Sequence, residues 1–284
     1  MAIDIPDLTG KTVLITGASS GIGAVAARRM AQAGATVLPH GRSPERTTEI
    51  AHAVGSEPLV ADFARLQEVR QLAEKVLQQA DRLDVVLHNA GALVARRTMT
   101  VDGHELTFQA NHLAAFLLQR LLSDLLLRTP GSRIIVTSSG ANRVGHVDLD
   151  DVEHLRGRYR AFRAYATTKL ENILFVRELS RRLAGATTTA VAVHPGNVAT
   201  AFGTGSMFPG IFYRIPLKNF YLLSAEEGAE PLLLLATMPD PKAAGGLYFD
   251  RFTPRGARSS QADDAELARG LWERSEAMVQ RWTG

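Results

Sequence analysis

The sequence predicts an α/β fold, doubly wound around a mostly parallel seven-stranded sheet with helices on both faces. Three observations carry that prediction. Short apolar runs rich in β-branched residues alternate with longer segments of helical periodicity along the 284 residues. The strand runs are apolar throughout rather than alternating, as strands covered on both faces must be. A glycine-rich loop separates the first strand from the first helix, where such sheets bind ligands.

Taken in order, the strands are Thr12–Thr16, Thr36–Pro39, Glu57–Ala61, Val85–Leu87, Arg133–Thr137, Thr188–His194 and Gly246–Phe249. Helices fall near 22–33, 44–53, 66–80, 102–128, 161–184 and 225–238, with a last one near 263–282. Right-handed crossovers then wind the sheet both ways from its first strand. No linker rich in Pro, Gly or Ser divides two such series, so residues 1–284 read as a single domain. The stretch 198–224 breaks the rhythm. It holds Phe202, Met207, Phe208, Ile211, Phe212, Tyr213, Phe220 and Tyr221 without helical or strand periodicity. A segment of that length reads as a substrate lid, with a subunit contact as the other reading.

Composition removes several function classes. With 45% hydrophobic and 21% charged residues, wholesale disorder is excluded. There is no cysteine, which removes disulfides, thiolate metal sites and cysteine nucleophiles. The net charge of +3 is scattered, without the basic arm that nucleic-acid binding would need. The acidic start interrupted by Pro6 is no secretory signal, and no apolar run reaches the roughly 18 residues of a membrane span. A cytoplasmic protein acting on a small molecule is expected, its oligomeric state open. The eight histidines lack ligand spacing, and Asp148-Leu149-Asp150-Asp151 lacks the glycine and terminal glutamate of a calcium loop, so no metal is expected.

The chemistry-bearing motifs sit at strand ends. Thr16-Gly17-Ala18-Ser19-Ser20-Gly21-Ile22-Gly23 follows the first strand. Glycines allow a sharp turn and close approach of a phosphate, and the helix N-terminus favours that anion. The same letters satisfy Gly-x-Ser-x-Gly, a hydrolase nucleophile elbow, but the few residues before Gly17 cannot hold the strands that precede such an elbow. The end of the second strand reads Leu38-Pro39-His40-Gly41-Arg42-Ser43, an arginine and no acid. An acid there would bind the ribose hydroxyls of NAD, whereas a guanidinium grips a 2′-phosphate, which favours NADP(H).

Tyr165 and Lys169 lie at i and i+4 on one helix and share a face. An ammonium one turn away favours the phenolate, and lowering a phenol by three pKa units requires about 4 kcal/mol. Ser138 and Ser139 end a buried strand, Asn89-Ala90-Gly91 ends another, and Asn111 interrupts an apolar helix face. A buried amide there is a structural hydrogen-bonder or part of a proton path.

Together these motifs, with Pro195-Gly196-Asn197-Val198-Ala199-Thr200, resemble the short-chain dehydrogenase/reductase family from Leu8 onward. Within it the chain is most similar to the retinol-dehydrogenase-like branch, through Asn111-His112-Leu113, Phe162–Leu183 and Ser259–Met278. The resemblance implies a Rossmann-type fold and an NADP(H)-dependent oxidoreductase that interconverts a lipophilic or aromatic alcohol and its carbonyl. It assigns Tyr165 as general acid or base, Lys169 as the cation that lowers its pKa and holds the nicotinamide ribose, Ser139 as the partner of the substrate oxygen, and Asn111 as support for a proton relay. The cofactor would touch Gly17, Ser19, Ser20, Gly21, Ile22, Gly23, Arg42, Asp62, Phe63, Asn89, Ala90, Gly91, Tyr165, Lys169, Pro195, Gly196, Val198 and Thr200. His88 departs from the family pattern, which often has asparagine there. A non-catalytic dinucleotide sensor or scaffold on the same fold is the alternative, and the intact Ser139, Tyr165 and Lys169 argue against it.

Overall fold

The structure, a computed structural model, describes residues 3–198 and 222–283. Thr200 and nearly all of the 198–224 stretch therefore lie outside the described residues. One sheet contains β1 (Thr12–Thr16), β2 (Thr36–Gly41), β3 (Leu59–Val60), β4 (Val85–His88), β5 (Arg133–Thr137), β6 (Thr189–His194), β7 (Tyr248–Asp250) and β8 (Thr253–Pro254), in the order β3-β2-β1-β4-β5-β6-β7-β8. The first seven are parallel. The chain works outward from β1 to β3, then returns to lay β4 on the other side of β1. A crevice opens at such a reversal, beyond the carboxyl ends of the strands.

The helices are α1 (Gly21–Gln32), α2 (Pro44–Val54), α3 (Leu66–Gln79), α4 (Leu106–Phe108), α5 (Ala114–Leu121), α6 (Ser123–Leu127), α7 (Ala161–Arg182), α8 (Ala225–Thr237) and α9 (Ala265–Thr283). Successive strand residues point to opposite faces. Val13, Ile15, Ile135, Val191 and Val193 therefore pack with α1, α2 and α8, while Leu14, Ile134, Val136 and Ala192 pack with α3, α5, α7 and α9. Burying one such Val, Leu or Ile contributes about 1.5–3 kcal/mol. Both faces are thereby covered, and the carboxyl edge is left for binding.

Two expectations need correction. The sheet has eight strands rather than seven: β8 folds back antiparallel on β7, pairing Phe249 with Pro254 and Asp250 with Thr253. Its two residues are exposed, so no apolar run announced it, and Arg251 makes the turn in the left-handed region with φ of 54°. The continuous helix near 102–128 is instead broken three times. Gly103, with φ of 88°, ends a turn, and the Glu105 side chain accepts from the Phe108 N–H to start α4. A π-helical turn, Gln109–Leu113, then carries Asn111, and Leu122 separates α5 from α6. Apolar spacing persists through these breaks, which is why periodicity alone ran them together.

Candidate functional site

The crevice begins with the glycine loop. Gly17 has φ of 69°, and a Cβ on it would stand 2.9 Å from the Ala90 Cα. The loop after β1 thus lies directly against the loop after β4. Thr16 sews them together: its hydroxyl oxygen accepts from the N–H groups of Asn89 at 3.0 Å and Ala90 at 3.1 Å. The Asn89 amide donates back to the Thr16 carbonyl at 3.2 Å. Gly23 brings α1 against the same turn, where a Cβ would meet the Gly17 carbonyl oxygen at 2.3 Å. Ser20 stands at the N-cap of α1 without a side-chain capping bond, and no acid lies in the first turn. The first amides of α1 therefore present unneutralised N–H groups beside Ser19, Gly21 and Ile22, as a bound phosphate requires.

Next to this loop, β2 ends at Gly41, where a Cβ would lie 2.7 Å from the Ser19 Cβ. Arg42 follows, exposed and without an ion pair among the described residues. After β3 comes a turn in which the Asp62 carboxylate accepts from the Ala64 N–H at 3.0 Å. Phe63 is stacked on His40, with centroids 4.7 Å apart and planes 15° from parallel.

Ser139, Tyr165, Lys169 and Asn111 gather on the other side of β1. Lys169 is 2% exposed and donates from Nζ to the Thr137 carbonyl at 3.2 Å. Its Nζ lies 5.5 Å from the Tyr165 ring centroid. Ser139 hydrogen-bonds the Tyr165 phenol. Ser138 points elsewhere. Buried, it donates to the Lys169 backbone carbonyl at 2.6 Å and ties the end of β5 to α7. Asn111 accepts from the Ala92 N–H at 2.6 Å and donates to the Ala92 carbonyl at 2.8 Å and to Thr168 Oγ1 at 3.1 Å. Its amide thus holds the loop after β4. A Cβ on Gly91 would come within 3.0 Å of Asn111 Oδ1 and 3.1 Å of Lys169 Nζ, so Gly91, Asn111 and Lys169 meet at one point.

Burial dominates the electrostatics at this point. Burial pushes the Tyr165 phenol up to about 12, opposed by its hydrogen bond from Ser139. Burial also pushes the Lys169 ammonium down to about 8. Removing both groups from water disfavours the charged form of each.

The far wall comes from the β6 end. Gly196 has φ of 100°, and a Cβ on it would strike Leu223 at 2.4 Å, so Pro195 and Gly196 turn the chain tightly there. Val198 bridges to Leu223 and reaches α8 beside Ile22: a Cβ on Gly228 would meet Val198 Cγ2 at 2.5 Å and Ile22 Cδ1 at 3.1 Å.

A family profile described as short chain dehydrogenase matches residues 11–206. The chain belongs to that family. Among its relatives, a candidate daunorubicin C-13 ketoreductase of Streptomyces sp. (strain C5) is 44% identical over 280 residues, covering 96% of this chain and 93% of the relative. Human retinol dehydrogenase 13 is 36% identical over 283 residues, covering 96% and 85%. The fold is similar to that of a candidate short chain dehydrogenase from Escherichia coli CFT073 complexed with NADPH, with a TM-score of 0.66 and 27% identity over 87% of this chain and 98% of that one. These relatives place the protein in the retinol-dehydrogenase-like branch, as an oxidoreductase of CH–OH and C=O groups.

For this short-chain dehydrogenase the crevice also contains groups that the sequence reading passed over. His194 ends β6, buried; its Nδ1 accepts from the Gly196 N–H at 3.4 Å, and a Cβ on Gly140 would lie 3.2 Å from its Nε2. Burial lowers its pKa. Its place directly before Pro195-Gly196 was the available signal. Tyr159 donates to the Val94 carbonyl at 3.1 Å and joins Thr107 at 2.7 Å, tying the loop after β4 to α4. Among the described residues, no group of three or more His, Asp or Glu is arranged to hold a metal ion, and no helix is long and apolar enough to cross a membrane.

Proposed function

We propose that this short-chain dehydrogenase is an NADP(H)-dependent oxidoreductase for a lipophilic or aromatic alcohol or carbonyl compound. The observation that carries the reading is the convergence of Ser139, Tyr165 and Lys169 beside the close approach of Gly91 to Lys169. The cofactor fits the residues present. The uncapped start of α1 suits its diphosphate, the exposed Arg42 suits a 2′-phosphate, the turn at Asp62 and Phe63 suits the adenine, and the Lys169 ammonium beside Gly91, where a side chain would crowd it, suits the ribose. When bound, the nicotinamide supplies or accepts the hydride.

The chain's own groups handle the proton and the oxygen. Ser139 hydrogen-bonds the substrate oxygen, and Tyr165 transfers a proton to it during carbonyl reduction. A phenol held near 12 is protonated at neutral pH, so it is ready to donate without prior adjustment. In the oxidative direction Tyr165 must first lose its proton, which a charged Lys169 favours. Asn111 keeps the loop after β4 in place beside Lys169. Pro195, Gly196 and Val198 form the wall against which the nicotinamide would rest.

The substrate class rests on two supports. The 198–224 stretch is dense in aromatic residues, as a lipophilic pocket wall would be. The relatives are named for retinol and for the C-13 ketone of daunorubicin. The test is NADPH oxidation, followed by absorbance, across a panel of aromatic, polyene and sugar carbonyls. Turnover confined to the apolar members supports the proposal. Binding of NADPH with no turnover of any member would favour the non-catalytic alternative.

A further inference from the structure

We infer that His40 is a positioning residue, one that fixes the adenosine-binding edge of the crevice by holding three separate segments in register. The inference rests on the proposed use of NADP(H), and it concerns a side chain that no motif singles out.

His40 is the fifth residue of β2, next to Gly41 and Arg42. Its backbone carbonyl accepts from the Ala18 N–H at 2.8 Å, which fastens the glycine loop. Its ring Nε2 lies 3.1 Å from the Ala61 carbonyl oxygen. A carbonyl only accepts, so Nε2 carries the hydrogen and donates. The ring face lies on Phe63 in the stack described above. One residue thereby joins the phosphate loop, the strand end carrying Arg42, and the turn of Asp62 and Phe63. The neighbouring Gly41 carbonyl adds a bond from the Ala61 N–H at 3.3 Å.

The chemistry of the ring argues against a role in packing alone. His40 is 2% exposed, and its Nδ1 has no hydrogen-bond partner among the described residues. Burial pushes its pKa down to about 4, so at neutral pH it is an uncharged ring with one acceptor unused. A buried acceptor without a partner is a liability to folding that an apolar ring of the same shape avoids. What an apolar ring cannot do is donate to Ala61 while stacking on Phe63. The pair of contacts fixes both the distance and the tilt of the 61–63 turn against β2, and thus the spacing between the adenine site and Arg42.

The test uses adenosine 2′,5′-bisphosphate, which carries the adenosine half of NADP(H) without its nicotinamide. Binding is measured by calorimetry on the parent, His40→Leu, His40→Gln and Phe63→Leu. His40→Leu should weaken the bisphosphate about tenfold or more, the size of a lost hydrogen bond plus a lost ring contact. KM for NADPH should rise in step, while kcat at saturating NADPH stays within about twofold. His40→Gln, whose amide nitrogen can reach the place of Nε2, should recover most of the affinity, and Phe63→Leu should fall between. Affinity within about twofold of the parent in His40→Leu, or kcat falling in parallel with affinity, would overturn the inference. If His40→Leu does not fold, an unchanged affinity in Phe63→Leu or no advantage of His40→Gln over Phe63→Leu overturns it. Failure of the parent itself to bind NADPH is a different result, which removes the proposed cofactor and the inference together.

Discussion

The two ends of the crevice are built on opposite principles. At the proposed adenosine end, β1, β2 and β3 finish in backbone amides, glycines and neutral rings: Gly17, Gly41, the uncapped start of α1, and His40 stacked on Phe63. The cation that follows β2, Arg42, stays in water. At the proposed catalytic end, β4, β5 and β6 surround a buried lysine and a phenol, with Lys169 lowered to about 8 and Tyr165 raised to about 12. The first end presents shape and partial charge to a ligand. The second holds ionisable groups out of water, where each favours its uncharged form. The proposed chemistry thus falls at the end where the ionisable side chains are buried, and the proposed recognition of a 2′-phosphate falls to a cation left in water.

The comparison is broken most directly at Tyr165. Tyr165→Phe should lower kcat by about 10²–10⁴-fold, the usual contribution of a positioned acid. Calorimetry with NADPH should show affinity nearly unchanged. A variant within about tenfold of parental turnover would mean that the buried phenol is not the proton donor.

Acid should expose the cost of the neutral rings next. His40, His88 and His112 are each held down to about 4 by burial. The unfolded chain takes up these protons near 6.5, so stability is present above that value and is lost as pH falls toward 4. Between pH 7 and pH 5 each histidine should account for about 2 kcal/mol of lost stability. Denaturant melts at the two pH values should therefore differ less in His88→Asn than in the parent by that amount. Equal differences would show that His88 is charged or accessible in the folded protein.

Arg42 sharpens the contrast from the other end. Arg42→Asp should shift the ratio of kcat/KM for NADPH over NADH by about tenfold or more toward NADH, equivalent to about 1.4 kcal/mol. Because the side chain is exposed, the melting temperature should hardly move. The smallest effect is expected at Ser138. Losing its bond to the Lys169 carbonyl should cost about 1 kcal/mol in Ser138→Ala. Turnover should persist there and fall in Ser139→Ala; the reverse pattern would exchange the roles of the two serines.

The adenosine end was the more legible half. Its glycines, the missing acid after β2 and Arg42 are neighbours in the chain, and each declares its backbone or charge requirement locally. The catalytic end was legible as a set of spaced motifs, yet its arrangement was not. Ser138 and Ser139 are adjacent and alike as letters, and only the packing of β5 on α7 turns one toward the Lys169 backbone and the other toward Tyr165. Asn111 was placed in a continuous helix, whereas a π-helical turn presents its amide to Ala92.

By itself the sequence determined the alternation of strands and helices, the parallel sheet, the family motifs and the absence of any thiol chemistry, because these follow from period, composition and local backbone demands. The tertiary structure alone decided the eighth strand, the breaks in the 102–128 helix, the joining of three segments at His40, and the directions in which Tyr165 and Lys169 are shifted. Those depend on burial and on partners far apart in the chain, and the free energy of placing a charge or an acceptor is set by the surroundings that the fold assembles.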